Sequence, residues 1–558
     1  MRVHLVSLQA ESYPLTTTPL AIITLGAFLR SRHNGVSVTY TDLQLSDLEA
    51  DLLPALDAER PDIIGISAQY GTLRQAGLLL DRLRQEGWFD RSRVVAGNVL
   101  PTYAYPWLLE RYPDLLCCVG RGEMFLLRLV SQVAKGEVDP RRLPGCAWSE
   151  AGRPTLSDAN RFELELLPPA DWDGLFARYT PGLYEEVWVE ASRGCPHKKS
   201  GWGCTYCAIM PDAGSRDWRP RGKDSVLTEL SVLARYGISH IRFADEEWMA
   251  DQPERALTFS NELYGLRREL LDDGIPMPTF DMAMRVDDVI RRNRRGGNGD
   301  LLDMGAHLDH KNNHKRIEAL RRLHEIGLKQ IYLGIESGAA GQLRRYYKGV
   351  RPEDNELALN TLTDLGIQAA CGWIMFDPMV TPAELQENVA FIRRNDLLPA
   401  SPHDSFVTYP LSRMRPLEGS PSVKVLRDQD LLGPRTATIV EYEVRYEDPV
   451  VAGIVDQVVE WERGIARPAL YALKNRVARM AWRDGRPPED DRMLADLYFA
   501  LKRLDLALAD ELSRAALNGC GESGLAAVRF RLEEERSSLV GGVRGATPIL
   551  TGAADPAA

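Results

Sequence analysis

The run Ser192-Arg-Gly-Cys195-Pro-His-Lys-Lys-Ser-Gly-Trp-Gly-Cys204-Thr-Tyr-Cys207 brings three cysteines close together, with no fourth nearby. Iron-sulfur clusters are normally held by four thiolates, so a three-cysteine cluster leaves one iron open to a ligand other than protein. Eight residues separate Cys195 from Cys204, and Gly201 and Gly203 in that gap allow backbone to approach the sulfurs. A zinc site is the competing reading, because Cys195, His197, Cys204 and Cys207 also make up a Cys3His set. Cys-x-His is a cramped pair for zinc, whose ligand pairs are usually spaced by two to four residues.

Outward from this run, short apolar segments alternate with helical patterns. Strands are expected at Val187–Ala191, His240–Ala244, Thr279–Met284, Gln330–Gly334, Gln368–Met375 and Ser405–Tyr409. Such alternation produces a parallel sheet covered by helices, and in barrels of this kind chemistry sits at the carboxyl ends of the strands. Polar groups fall at those ends. Phe243-Ala-Asp-Glu-Glu-Trp248 closes the second strand, Arg285 follows the third, Gly334-Ile-Glu-Ser-Gly338 closes the fourth, and Trp373-Ile-Met-Phe-Asp-Pro378, with Thr381 and Glu384, closes the fifth. Taken singly, Asp245, Glu246 and Asp377 could cap the helices that follow, and Arg285 could form a surface pair. Their recurrence at consecutive strand ends argues for a site.

Upstream, a second alternation runs from Arg2 to about Gly136. Its strands are Val3–Leu8, Val36–Thr41, Ile63–Ser67, Val94–Ala96 and Leu115–Val119; its helices are Pro19–Arg32, Leu48–Leu56, Leu73–Glu86, Tyr105–Arg111 and Met124–Ala134. This is a doubly wound domain, which binds ligands at its strand carboxyl ends. Those ends read Ser67-Ala-Gln-Tyr-Gly71, Ala96-Gly-Asn-Val-Leu-Pro101 and Gly120-Arg-Gly-Glu123. Glycines there admit a bulky planar group, and backbone amides can cradle a phosphate.

The cysteine run, reached through Ser-Arg-Gly-Cys-Pro and ending in Cys-x-aromatic-Cys, resembles that of the radical S-adenosylmethionine enzymes. The family's usual first gap of three residues is longer here. Gly334-Ile-Glu-Ser resembles the same family's fourth-strand motif, and Pro19 to Leu29 resembles the Pro-Leu-x4-Leu-x3-Leu helix of its cobalamin-dependent branch, though Gly97-Asn98 stands where Gly-Gly is common. The Asp-x-His-x-x-Gly element that supplies a lower axial histidine to cobalt is absent from the first domain, whose histidines are His4 and His33.

Over residues 1 to 415 the resemblance implies an α/β chain: a Rossmann-like cobalamin-binding domain at 1–136, a linker at 137–185 and a partial (β/α)6 TIM-like core at 186–415. It implies a 4Fe-4S cluster on Cys195, Cys204 and Cys207. S-adenosylmethionine would be positioned by Asp245, Glu246, Arg285 and Glu336, with Tyr206 along the adenine, and cobalamin would lie among Gln69, Gly97, Asn98 and Glu123. The implied activity is methylation of an unactivated carbon of a specialised metabolite or peptide, through a 5'-deoxyadenosyl radical and methylcobalamin, with a flavodoxin or ferredoxin as electron donor. A rearrangement, cyclisation or oxidation without methyl transfer is the alternative, and a zinc-stabilised binding protein a further one. No acid or base is singled out.

At 558 residues the chain exceeds what one core supports, so several domains are expected. A net charge of -11, with no long basic block, argues against nucleic acid. Arg291 to Arg295 is read as a solvated loop. No apolar run is long enough for a membrane span, and Met1-Arg2 leads directly into a strand, which suggests no cleavable signal. Sparse cysteines point to a reducing, cytoplasmic setting, with Cys117, Cys118, Cys146, Cys371 and Cys520 as small core residues. His307, His310 and His314 near Asp303 and Asp309 share no ligand face and are not read as a metal site.

Beyond Tyr409 helical periodicity dominates, at Ile454–Arg463, Pro468–Trp482 and Arg492–Leu517. A helical domain at 416–540 is expected, with Trp461, Tyr471 and Trp482 either lining a pocket or packing in its core. A disordered tail is expected at 541–558.

Overall fold

The computed structural model describes residues 1–10, 15–159, 162–198, 203–209, 218–292, 310–399, 401–463, 473–474, 476–477, 480 and 489–545. Five parallel strands, β1 (Arg2–Ser7), β2 (Ser37–Asp42), β3 (Ile63–Ser67), β4 (Arg93–Gly97) and β5 (Leu116–Cys118), open the chain. Strand periodicity divides their side chains between two cores. Val3, Leu5, Val38, Tyr40, Val95 and Leu116 meet the helices Leu20–Arg32 and Glu123–Val133, whereas Val6, Ile64, Ile66, Val94 and Ala96 meet Leu53–Glu59, Leu73–Gln85 and Val99–Arg111. The first helix crosses so close to β2 that a Cβ on Gly26 would fall on the Tyr40 hydroxyl.

The expected linker is in part a continuation of this sheet. Strands β6 (Cys146–Glu150) and β7 (Arg153–Leu156) add to it antiparallel, in the order β2-β1-β3-β4-β5-β6-β7. Strand β5 would otherwise offer a bare edge, and Cys118 pairs with Cys146 across it. The following segment wraps the first helix, with Phe162 edge-on to Phe28 at 5.1 Å. Asp171 pairs with Arg30 and accepts from the Tyr40 hydroxyl at 2.8 Å.

The second sheet is parallel and open: β8 (Trp188–Val189), β11 (His240–Phe243), β12 (Thr279–Arg285), β13 (Leu328–Glu336), β14 (Gln368–Trp373) and β15 (Phe406–Val407), in the order β15-β14-β13-β12-β11-β8. A short antiparallel pair, β9 (Ser192–Arg193) and β10 (Arg219–Pro220), flanks it. The expected strands are present, and among the described residues the outer strands β15 and β8 pair with no further strand of this sheet, which leaves the barrel partial. Its outer helices bury Phe280, Met282 and Met284 on one side of β12, while Asp281 turns the other way to pair with Arg242 of β11.

Helices Pro449–Arg463, Glu489–Leu517 and Glu522–Gly545 follow an antiparallel hairpin, β16 (Leu432–Arg435) and β17 (Tyr442–Val444). The long helix covers the edge strand: Phe499 packs on Phe406, and the buried Lys502 Nζ donates to the Val407 carbonyl at 2.7 Å. Trp461 is core, its indole donating to Asp505 at 2.8 Å; Tyr471 and Trp482 lie outside the described residues. The last helix runs to Gly545, into the stretch expected to be a tail. Asp303, His307 and Asp309 also lie outside the described residues. Cys117, Cys118, Cys146 and Cys371 are buried as expected, but Cys520 is exposed, at a helix end. Among the described residues no helix is long and apolar enough to cross a membrane.

Candidate active site

The barrel strands deliver their carboxyl ends to one place because all six run the same way. After β8 the chain passes through β9, turns at Gly194 with φ +91°, and presents Cys195. Asp245 and Glu246, at the end of β11, hold this turn from beneath. Asp245 accepts from the Ala191 amide at 2.9 Å and from the Ser192 hydroxyl, and Glu246 accepts from the Gly194 amide at 2.9 Å. Burial pushes the Asp245 carboxyl up to about 7. Both oxygens of Asp245 are committed to backbone and Ser192, so its position is that of an anchor for the cysteine turn.

Cys195 and Cys204 are buried and Cys207 half-buried, and a bond from the Cys207 amide to the Cys204 carbonyl closes the second turn at 3.1 Å. Thr205 fixes this turn to the end of the short helix Ala340–Arg345 that follows β13, donating its amide to the Tyr346 carbonyl at 2.9 Å and its hydroxyl to the Arg345 carbonyl at 3.0 Å. Gly201 lies outside the described residues. His197, the fourth member of the zinc alternative, places Nε2 at 2.7 Å from the Tyr347 carbonyl. Among the described residues no three Cys, His, Asp or Glu side chains converge as closely as a single metal ion requires. A cluster asks less of them, since each thiolate meets its own iron.

The charges around the cysteines suit bound thiolates. Arg285, at the end of β12, directs Nη1 toward Cys204 Sγ at 3.9 Å. Its remaining donors go to Asp287 and to the Lys348 carbonyl, at 2.9 and 3.2 Å. The guanidinium expected to position the cosubstrate is therefore turned to the sulfur. Burial pushes the Cys204 thiol up, but Lys348, a hydrogen bond with His197 and the Arg285 charge outweigh it and bring it to about 6. Cys195 differs: burial and then Glu247 push it up to about 12 against Arg285.

In protein without iron, Cys204 is thus expected to be ionised at pH 7 and Cys195 not. Because the folded value lies below the thiol's ordinary one, this ionisation stabilises the fold above the unfolded pKa, and the contribution is lost as pH falls through about 6. The thiolate ultraviolet absorbance should show a transition near that pH, absent from Cys204→Ser. If that variant keeps the transition, the assignment fails.

Glu336 is the most constrained of the expected residues. It sits at φ +68°, the left-handed region in which a non-glycine residue is strained, where the register of β13 with β14 shifts between Gly334 and Glu336. Lys348 Nζ lies 3.1 Å from its Oε1 and donates to the Tyr206 hydroxyl at 3.2 Å. A Cβ on Gly334 would come to 2.7 Å from that ammonium, so a larger residue there would displace the Lys348 side chain. Tyr206 stands edge-on to Tyr346 at 5.5 Å, and burial followed by the Glu336 charge pushes its phenol well above the ordinary tyrosine range. Sequence reasoning missed Lys348 and Glu247, the latter buried and accepting from the Arg285 amide at 2.6 Å. The Glu247 that follows Asp245-Glu246 was legible as a third acid in the run; Lys348 had no local signal.

The first sheet supplies the facing wall. Tyr103, from the helix after β4, donates to the Ala208 carbonyl at 3.2 Å, next to the last cysteine. Tyr70, after β3, hydrogen-bonds Glu441, the residue before β17, and lies under the Arg415 guanidinium at 4.6 Å. The strand ends between are nearly bare. Gln69 is half-buried, a Cβ on Gly97 would meet only Cys118 at 3.5 Å, and Asn98 takes φ +81° while its amide group bridges Ser67 and the Val99 amide. Such ends fit a broad flat group. Glu123 departs from expectation: it is buried, and its Oε1 lies 2.6 Å from Arg193 of β9, so its carboxylate joins the two sheets and does not face the bare wall.

Comparison with known proteins bears on the first domain and on the fold. Residues 7–130 match the B12 binding domain family. The chain is 29% identical over 403 residues to 4'-phospho-dehydrooxetanocin synthase of Priestia megaterium, an alignment covering 70% of this chain and 50% of that protein, so the chain spans about half the length of this relative. Its fold superposes on OxsB, a cobalamin-dependent S-adenosylmethionine radical enzyme solved with aqua-cobalamin, with a TM-score of 0.78 at 22% identity, covering 98% of this chain and 80% of the other. It also superposes on TsrM, a radical S-adenosylmethionine methyltransferase of Kitasatospora setae solved with cobalamin and a 4Fe-4S cluster. There the TM-score is 0.58 at 18% identity, covering 78% and 79%.

Proposed function

We propose that this chain, in which a B12 binding domain precedes the barrel of the cobalamin-dependent S-adenosylmethionine radical enzymes, is itself such an enzyme and transfers a methyl group to an unactivated carbon of a small metabolite or peptide. One observation carries the reading: three cysteines at the barrel mouth lie among Arg285, Lys348 and Glu336, and Ala208, after the last of them, meets Tyr103 of the helix that follows the bare end of β4. When bound, the cluster supplies one electron to cleave the carbon-sulfur bond of S-adenosylmethionine, and cobalamin carries the methyl group.

The chain's own residues do the positioning. Cys195, Cys204 and Cys207 would hold the cluster, with Arg285 neutralising the Cys204 thiolate. Glu336 offers a carboxylate to the cosubstrate's amino group, Lys348 a cation to its carboxylate, and Tyr206 a ring beside its adenine. Asp245 and Glu246 keep the first cysteine in place. Gln69, Gly97 and Asn98 would border cobalamin. Arg415 and Glu441 close over Tyr70, beside the strand ends of the first sheet. A flavodoxin or ferredoxin is the electron donor that fits.

A second reading, radical rearrangement or oxidation without methyl transfer, is favoured by the 29% identity to a protein named 4'-phospho-dehydrooxetanocin synthase. Anaerobic reconstitution with iron, sulfide and hydroxocobalamin tests the shared part: brown absorbance and 5'-deoxyadenosine are expected on adding S-adenosylmethionine and a reductant. A colourless, zinc-loaded protein would refute it. Product mass separates the two readings, because methyl transfer adds one methylene unit and yields S-adenosylhomocysteine as well.

A further inference from the structure

The turn that carries Cys195 is gripped by a loop of the other sheet. Arg193 Nη1 lies 2.6 Å from Glu123 Oε1, with Glu190 on its Nε at 2.8 Å. Arg121 Nη2 lies 3.9 Å from Oε1 of Glu246, whose other oxygen holds the Gly194 amide. Both contacts come from Gly120-Arg-Gly-Glu123 after β5; one ends on Arg193 itself and the other on Glu246, which holds Gly194, so between them they reach the two residues before the first cysteine. A buried ion pair of this kind adds little net stability over apolar packing, so it is better suited to fixing geometry. One oxygen of Glu123 and Arg121 Nε are buried without a protein partner, beside a cavity of about 10 Å³ lined by both residues, which has room for one water.

The same loop is tied to the bare strand ends. The Gly120 amide donates to the Thr102 hydroxyl at 3.0 Å, and that hydroxyl donates to the Asn98 carbonyl at 2.7 Å. A continuous path therefore runs from Asn98 through Thr102 and Gly120 to Arg121 and Glu123, and from these across the sheets to the cysteine turn. Gly120 stands at φ +87°, the left-handed region that favours glycine, and so sets the turn that brings Arg121 and Glu123 to the cysteine turn.

We infer that Thr102, Arg121 and Glu123 are positioning residues that couple the two cofactor sites, so that occupancy of the B12 site tightens S-adenosylmethionine binding at the cysteine loop, and the reverse. This rests on the cofactor reading above. Coupling between sites is reciprocal, and its usual size is about fivefold or more.

The test uses anaerobically reconstituted, cluster-loaded full-length protein, with hydroxocobalamin and S-adenosylmethionine as probes. The Kd for S-adenosylmethionine is measured with and without hydroxocobalamin, and that for hydroxocobalamin with and without S-adenosylmethionine. Wild type should show the same factor, about fivefold or more, in both directions. In Thr102→Val each probe alone should bind within about twofold of wild type while the factor falls toward one; Glu123→Gln should also lose the factor, and Glu123→Asp should recover part of it. A purely structural role would change stability and leave the factor intact. A wild type that binds both probes without coupling, or variants that keep the full factor, would overturn the inference alone. A wild type that binds neither would overturn the function reading with it.

Discussion

Replacing Cys204 by alanine should abolish the brown absorbance of reconstituted protein and reduce 5'-deoxyadenosine formation by more than about 100-fold. The estimate is a lower bound, because even an outer partner of a metal ligand is commonly worth about 10- to 100-fold. Cys204 is the sulfur that Arg285 approaches to 3.9 Å and the thiol that its neighbours bring to about 6, so it is better prepared as a thiolate than Cys195. The control is Cys371→Ala, which removes a buried thiol on β14 outside the cysteine loop and should keep iron, colour and turnover. Iron and sulfide analysis beside the absorption spectrum decides it: a Cys204→Ala protein that retains wild-type iron and turnover would show that the cluster is held elsewhere.

Glu229→Leu should be the most damaging change away from the site. Glu229 and Arg221 are fully buried and paired at 2.7 Å, and the same carboxylate also accepts from the Ala170 amide at 2.9 Å and the Trp172 indole at 3.2 Å. The leucine would strand a buried guanidinium and two further donors. Breaking one side of a buried pair costs about 3–5 kcal/mol, whereas replacing both sides by apolar groups is often neutral. The urea midpoint, followed by tryptophan fluorescence, should drop markedly for Glu229→Leu and recover in large part for Glu229→Leu with Arg221→Met. A single variant as stable as wild type would mean that solvent reaches this pair. The effect bears on function because these bonds attach the segment Pro168–Trp172 to the barrel and so set where the first sheet stands.

Much of the architecture was readable because buried parallel strands are local objects. Val3–Leu8, Ile63–Ser67 and Gln368–Met375 are apolar runs bounded by turn residues, and a strand of such composition must be covered on both faces wherever it lies. The hairpin after Gly145 lies in the stretch read as a linker, and its membership of the first sheet was not legible there, because strand pairing is chosen by which edge is exposed once the fold closes. Glu123 shows the same limit from the side of the site. Its place after a strand end suggested a ligand contact, and a partner 70 residues later, Arg193, claims its carboxylate.

The amino-acid sequence by itself determined the two alternating α/β units, the three clustered cysteines and the acidic residues at the ends of the barrel strands, since each of these is written in spacings of a few residues. Only the tertiary structure decided what those groups face. Lys348 stands beside Glu336 and Tyr206, Arg285 turns to Cys204, and the loop after β5 grips the cysteine turn. These pairings follow from chain crossings over long separations, and a charge buried there takes whichever opposite charge the packing brings within reach, a choice that no local pattern encodes.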